Sequence, residues 1–273
     1  MCASIRPSRL GTVQGAEYME LKDPKNRFSD RVDNYRKYRP SYPPEIISFI
    51  LKNCQVDATW SIADVGSGTG ISTKLLTGGL KCLVYAVEPN EKMRREAEFA
   101  QKGNPFYRSI NGSAEATTLD DKSVNMVTTF QSFHWFEKEK ARIEFKRILK
   151  EPKHILFVWN NIASEGSDFL EGYEAILQTL PEYRIVNHKN ISIGQLCNFT
   201  ENNEIKTAFF PNSQQFDWEG LKGRFCSSSY TPAFGTEEYY KQITRLEFLF
   251  EKYNKNGFVE FKYRTEAYLG KIN

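Results

Sequence analysis

The chain has 273 residues, 40% of them hydrophobic and 26% charged, with a formal net charge of +3. These values describe an ordinary globular protein, large enough for one big domain or a domain with an insertion, and exclude a disordered chain. A small, evenly spread charge leaves no nucleic-acid footprint. The five cysteines (Cys2, Cys54, Cys82, Cys197, Cys226) lack C-x-x-C or metal spacing, so neither a disulfide framework nor a metal is expected. Nowhere do about 18 apolar residues run together, and Met1 to Gly15 has no apolar leader core, so the expected setting is the cytoplasm, away from membranes.

Residues 1–26 are polar and are expected to be loosely ordered. Ser41-Tyr42-Pro43-Pro44-Glu45 reads as a helix start, with prolines in the first turn ahead of Ile46, Ile47, Ile50 and Leu51. Strands are predicted over 61–65, 83–88, 106–110, 124–130 and 154–159, with helices over about 70–77, 90–102 and 136–150. The last helix carries Ala141, Phe145, Ile148 and Leu149 on one face. Alternating strands and helices imply an α/β, doubly wound, mostly parallel sheet with ligands beyond the carboxyl ends of its strands. Further on, strands near 204–210 and 257–269 flank a long aromatic-rich insertion, with helical material near 167–180 and 236–254. The final segment alternates well enough to be an antiparallel edge.

The chemistry-bearing feature is Ile62-Ala63-Asp64-Val65-Gly66-Ser67-Gly68-Thr69-Gly70-Ile71, followed by Leu83-Val84-Tyr85-Ala86-Val87-Glu88-Pro89. A glycine turn lets backbone approach a ligand closely. A carboxylate at the end of the next strand accepts hydrogen bonds from two ribose hydroxyls. Dinucleotide folds need a small third residue where this chain has Ile71, so the spacing disfavours a pyrophosphate ligand and a nicotinamide oxidoreductase.

The G-x-G-x-G form with Asp64 ahead of it resembles motif I of class I S-adenosylmethionine-dependent methyltransferases. Tyr35-Arg36-Lys37-Tyr38-Arg39-Pro40-Ser41-Tyr42-Pro43 resembles the N-terminal lid of a small-molecule subgroup, the trans-aconitate methyltransferase-like (methyltransferase type 11) enzymes. Gly112-Ser113-Ala114-Glu115, Ser123-Val124-Asn125-Met126-Val127, Gln131-Ser132-Phe133-His134-Trp135-Phe136 and Arg147-Ile148-Leu149-Lys150 extend the match over about 28–160. The segment Phe225-Cys226-Ser227-Ser228-Ser229-Tyr230-Thr231-Pro232 resembles the subgroup's cap loop. Two departures stand out: Asn125 replaces the usual Asp, and Glu151-Pro152-Lys153-His154 lacks the usual glycine pair.

The resemblance implies a seven-stranded Rossmann-like sheet with an antiparallel edge strand and a helical cap. It implies a lid and helix over 27–60, an S-adenosylmethionine-binding core over 61–163, and cap insertions with the closing strands over 164–273. Cofactor contacts are expected from Tyr35, Arg39, Asp64, Gly66, Ser67, Gly68, Gly70, Glu88, Pro89, Met93, Ser113, Ala114, Glu115 and Gln131. Asp64 is expected to brace the loop by accepting backbone amides. Trp135, Arg224 and Tyr230 are expected at the acceptor, and the rings of Tyr35, Tyr38 and Trp135 either face the sulfonium or pack as lid and core. Arg39, Arg224 and the Arg31/Arg36 pair are candidates for carboxylates of cofactor or substrate. His134, the catalytic candidate, is either a packed residue or a proton acceptor. The expected reaction is methylation of a small acid on oxygen, by a monomer or homodimer. Alternatives are cofactor binding without turnover, and methylation of protein or nucleic acid. For the last, the place of the amino-methylating N/D-P-P-Y/F motif holds Gln131-Ser132-Phe133-His134 instead.

Overall fold

In the computed structural model, which describes residues 32–186, 191–202 and 204–273, two short helices precede the sheet. They are α1 (Val32–Tyr38) and α2 (Glu45–Asn53). The core then alternates β1 (Ser61–Val65), α3 (Ile71–Leu80), β2 (Leu83–Val87), α4 (Glu91–Ala100), β3 (Tyr107–Ile110), β4 (Val124–Phe130), α5 (Lys138–Ile148) and β5 (Leu149–Ile162). Helices α6 (Asp168–Gln178), α7 (Pro181–Val186) and α8 (Ile193–Thr200) lead to β6 (Lys206–Phe216). After α9 (Trp218–Cys226) and α10 (Glu237–Tyr253) the chain closes with β7 (Val259–Lys271). The expected lower strands and main helices are all present. Helices α1, α7, α8 and α9 were not expected. The segment 1–26 and Arg31 lie outside the described residues.

The seven strands run in the order β3-β2-β1-β4-β5-β7-β6. β1 to β5 are parallel, and β7 is antiparallel to both β5 and β6. The final strand is therefore antiparallel as its alternation implies, but it is not the edge. β6 is the edge, and Pro211 explains why it can be: proline has no N–H for a ladder and is tolerated where a strand has one neighbour. The turn after α5, without its glycine pair, is made with a cis Glu151–Pro152 peptide and Lys153 at φ +55°. Asn125, in the place of an Asp, accepts the Ser61 amide at 3.0 Å and so ties β4 to the start of β1.

Alternate strand residues face opposite layers. Ala63, Val65, Val127 and Phe157 pack with Phe145 and Ile148 of α5 and Phe199 of α8. Ile62, Val84, Met126 and Val158 pack with Ile46 and Ile50 of α2 and Leu76 of α3. In this second layer Gly79 admits Ile47, because a Cβ there would lie 2.5 Å from Ile47 Cγ1. A third cluster forms where the β6–β7 hairpin overhangs the carboxyl end of β5. Phe216, Phe261 and Tyr263 of the hairpin meet Tyr173 of α6, Phe225 of α9 and Leu246 of α10. Capping sets the boundaries of this part: Asp217 accepts the Gly220 amide at 2.7 Å, and Thr236 accepts that of Tyr239 at 3.2 Å. No helix among the described residues is long and apolar enough to cross a membrane.

His154 lies buried at the amino end of the sheet, stacked on Trp60 with ring centroids 5.8 Å apart. Burial, aided by the charges of Lys271 and Lys206, pushes its imidazole down to about 4 from an ordinary 6.5. The unfolded chain therefore takes up a proton between those values that the folded chain refuses. Stability is expected to fall by up to about 3 kcal/mol as pH drops from about 6.5 to 4. Urea unfolding across that window checks it: His154→Phe, which keeps a ring against Trp60, should flatten the dependence.

Candidate active site

The turn after β1 is built by its glycines. Gly66, Gly68 and Gly70 have φ of +70°, +56° and +82°, a region costly for other residues. Gly66 is doubly constrained, since a Cβ there would lie 2.5 Å from Ser132 Cβ. The amides of Gly66 and Ser67 both donate to Val87 O, at 2.9 and 3.2 Å, which fastens the turn to the end of β2. Glu88, the next residue, completes the fastening: its Oε2 accepts the Gly68 amide at 2.9 Å and its Oε1 the Asn90 amide at 2.8 Å. The side chain is 7% exposed. Burial raises its carboxyl pKa, and the two amides work against that rise. Each oxygen has spent one acceptor direction on backbone and keeps another, as a pair of ribose hydroxyls requires.

Asp64 acts one layer below. Fully buried, it accepts the hydroxyls of Ser72 (2.7 Å), Thr73 (2.6 Å) and Thr128 (3.0 Å). The expectation of backbone amides is thus corrected: the donors are side chains from the first turn of α3 and from β4. Burial lifts its pKa, and the three hydroxyls oppose the lift.

Two adjoining chambers open above the turn. The first, about 590 Å³, is bounded by Gly68, Glu88, Pro89, Met93, Ser113 and Ala114. The second, about 980 Å³, is bounded by Arg39, Ser67, His134, Asn160, Arg224 and Tyr230, among others. Tyr35, Gly66, Phe130, Gln131 and Trp135 line both. The 113–114 turn of the first chamber is held from outside, because Glu144 of α5 accepts the amide and hydroxyl of Thr117 (2.7 and 2.5 Å) and is itself gripped by Arg147.

In the second chamber two guanidiniums meet. Arg39 donates to Ser227 O (3.0 Å) and Ser228 Oγ (3.3 Å), and lies over the Tyr35 ring at 5.0 Å. Arg224, 4% exposed, donates to the same Ser228 Oγ (3.3 Å) and to the Tyr263 hydroxyl (3.1 Å). Among the described residues neither forms an ion pair, and the Arg39 Nε atom is buried without a hydrogen-bond partner. Burial, then the nearby Arg224 charge, lowers the Arg39 pKa. The lid that carries Arg39 is anchored at Ser41 O, which accepts the side-chain amides of Asn212 (2.7 Å) and Asn160 (3.3 Å).

Most of the expected site residues converge here. The first chamber holds Gly68, Glu88, Pro89, Met93, Ser113 and Ala114, the second Ser67, Arg39, His134, Arg224 and Tyr230, and the shared wall Tyr35, Gly66, Gln131 and Trp135. Arg39, expected on the cofactor side, stands with Arg224. Three expected contacts line neither chamber: Asp64 lies beneath the turn, Gly70 caps α3, and Glu115 instead accepts the Glu137 amide at 2.9 Å. Tyr38 also turns away, its ring filling the space left by Gly223 of α9. Arg36 pairs with Glu96 at 3.4 Å. Sequence reasoning missed Tyr42, Asn160 and Tyr183 on the second chamber. Of these, Asn160 had a signal, a polar residue near the carboxyl end of an apolar strand.

A family model described as a methyltransferase domain matches residues 63–157, the stretch that contains the glycine turn, Glu88 and the 113–114 turn. The chain carries a class I S-adenosylmethionine-dependent methyltransferase domain. An uncharacterized methyltransferase of Schizosaccharomyces pombe is 25% identical to it over 245 residues, 88% of this chain and 95% of the relative. An uncharacterized methyltransferase of Mycobacterium bovis is 35% identical over 134 residues, and there the chain spans about half of the relative, 51%. The YcgJ protein of Bacillus subtilis has the same fold, with TM-score 0.52 and 18% identity over 82% of this chain and 97% of that one. The methyltransferase uses S-adenosylmethionine as its cofactor. The first chamber fits that molecule: glycines where side chains would intrude, a half-satisfied buried carboxylate, and Met93 with Ala114 as an apolar wall.

Proposed function

We propose that this methyltransferase acts on a small carboxylic acid and places the methyl group on a carboxylate oxygen. The observation that supports this is the Arg39–Arg224 pair, two cations on one chamber, bonded to one serine hydroxyl, without a described carboxylate to balance them. Like charges held together out of water are costly, and an anion between them relieves the cost. A planar carboxylate also matches the guanidinium fork.

In this reading Glu88 holds the ribose hydroxyls, and Pro89, Met93, Ser113 and Ala114 enclose the adenine. The glycine turn and Ser67 admit the amino-acid end, and Gln131, Tyr35 and Trp135 form the wall next to the cationic sulfur. Tyr230 and Trp135 flank the acid. When bound, S-adenosylmethionine supplies a methyl carbon on positive sulfur, so the C–O bond forms as the C–S bond breaks and the electron pair stays on sulfur. The attacking oxygen is already an anion, and no proton has to leave it. The chain's residues therefore bind, align and exclude water, a contribution of up to about 7–11 kcal/mol in well-aligned cases. His134 then serves as a polar wall of the acceptor chamber.

Calorimetric titration with S-adenosylhomocysteine, followed by transfer of labelled methyl groups to a panel of acids, tests the reading. The expected kcat/KM is level from about pH 6 to 9 and bends only at the acid's own ionisation, near about 4. A bend near 6.5 that disappears in His134→Gln would instead make His134 a base and the acceptor neutral.

A further inference from the structure

A groove of about 1300 Å³ runs between α2 and α3 and shares Arg39, Tyr42 and Ile71 with the acceptor chamber. Its lining is apolar along Pro44, Ile47, Leu75 and Gly78, with the exposed Lys74 beside them and Arg36, paired with Glu96, at the rim. Ile71, Lys74, Leu75 and Gly78 recur at spacings of three and four, which places them on one face of α3. That face extends two turns, about 10 Å, from the chamber. Glycine inside a helix weakens it, so a pair of glycines calls for a reason. Gly79 has one in Ile47. Gly78 has no packing reason: among the described residues nothing lies within 4 Å of where its Cβ would be. Its missing side chain leaves the groove open.

We propose that this groove receives the apolar tail of the acceptor acid, whose carboxylate lies between Arg39 and Arg224. The inference rests on the carboxylate reading above and adds the shape of the substrate. The tail lies along Leu75 and Ile47, and Lys74 beside the groove draws the carboxylate inward past Tyr42 to the two arginines.

The test compares kcat/KM for butanoate, hexanoate, octanoate and decanoate in the native protein, Gly78→Phe and Leu75→Lys. Binding of butanoate and decanoate is measured in parallel by equilibrium dialysis with S-adenosylhomocysteine present. The native protein is expected to favour decanoate over butanoate at least tenfold. Each variant, confirmed as folded by its melting curve, is expected to bring that ratio within threefold of unity. Equal use of short and long acids by the native protein, or a ratio preserved in both variants, overturns the proposal. If no acid is methylated, the carboxylate acceptor fails, and dialysis alone decides the groove. A tenfold preference for decanoate that both variants remove upholds it, and any other binding result overturns it.

Discussion

Glu88→Gln is expected to weaken S-adenosylhomocysteine binding by about a hundredfold or more, and to lower the melting temperature of the free protein. The carboxylate accepts the Gly68 and Asn90 amides, one on each oxygen. A glutamine has one accepting atom at its tip and one donating group. Whichever way the amide turns, one backbone N–H faces another donor, a loss of about 1–3 kcal/mol in the buried turn. The ribose loses as well, since each charge-assisted bond is worth about 1.5–3 kcal/mol and 1.4 kcal/mol is a factor of ten. Calorimetry and a thermal melt separate the two consequences. Unchanged affinity in a folded Glu88→Gln would remove the ribose clamp from the account.

The second large effect is expected at Arg224. Arg224→Gln should lower kcat/KM for acids by about 10²–10³-fold, the loss that follows when one partner of a buried charge pair is removed. S-adenosylhomocysteine affinity should move by less than about threefold, because Arg224 lines only the second chamber. Stability should change little. The substitution gives up bonds to Tyr263 and Ser228 and contact with the Phe261 ring, but it also ends the repulsion that lowers the Arg39 pKa. Arg224→Lys should recover little of the rate, since a point charge does not reproduce the fork. A parallel loss of cofactor affinity would reassign the arginine to the cofactor.

The two halves of the site differ in how far the sequence discloses them, and the reason is distance along the chain. The glycine turn, Asp64 and Glu88 come from one strand–turn–helix–strand unit, where backbone sterics and strand ends dictate position. Even there, pattern stops at the backbone. Asp64 is expected as a cofactor contact with amide donors, yet it lies beneath the turn, and only the fold shows that the hydroxyls of Ser72, Thr73 and Thr128 surround it. Glu115 sits beside the right turn, yet its side chain turns to the Glu137 amide, a rotamer choice that no spacing encodes. The pairing of Arg39 with Arg224 is set by tertiary packing across most of the chain, through Tyr38 against Gly223 and both arginines on Ser228. Helix α9 escaped notice because its apolar Trp218, Leu221 and Phe225 are interrupted by Gly220 and Gly223, two weak helix formers retained for close packing. The strand expected near 204–210 stops one residue before Pro211, whereas β6 runs through that proline to Phe216, which an edge position permits.

The overhanging hairpin has one more consequence. Phe216 and Val259 are register partners, so the 42 residues between them leave and return at neighbouring points of a rigid ladder. Segment 217–258 is thus a cassette with ends fixed by the ladder, and it contains α9, the serine loop that holds both arginines, and α10. In the proposed reading this cassette brings Arg224 and Tyr230 to the acceptor, while the glycine turn and Glu88 lie outside it. Chimeras joined at 216 and 259 therefore offer a route to new acceptors on an unaltered cofactor site.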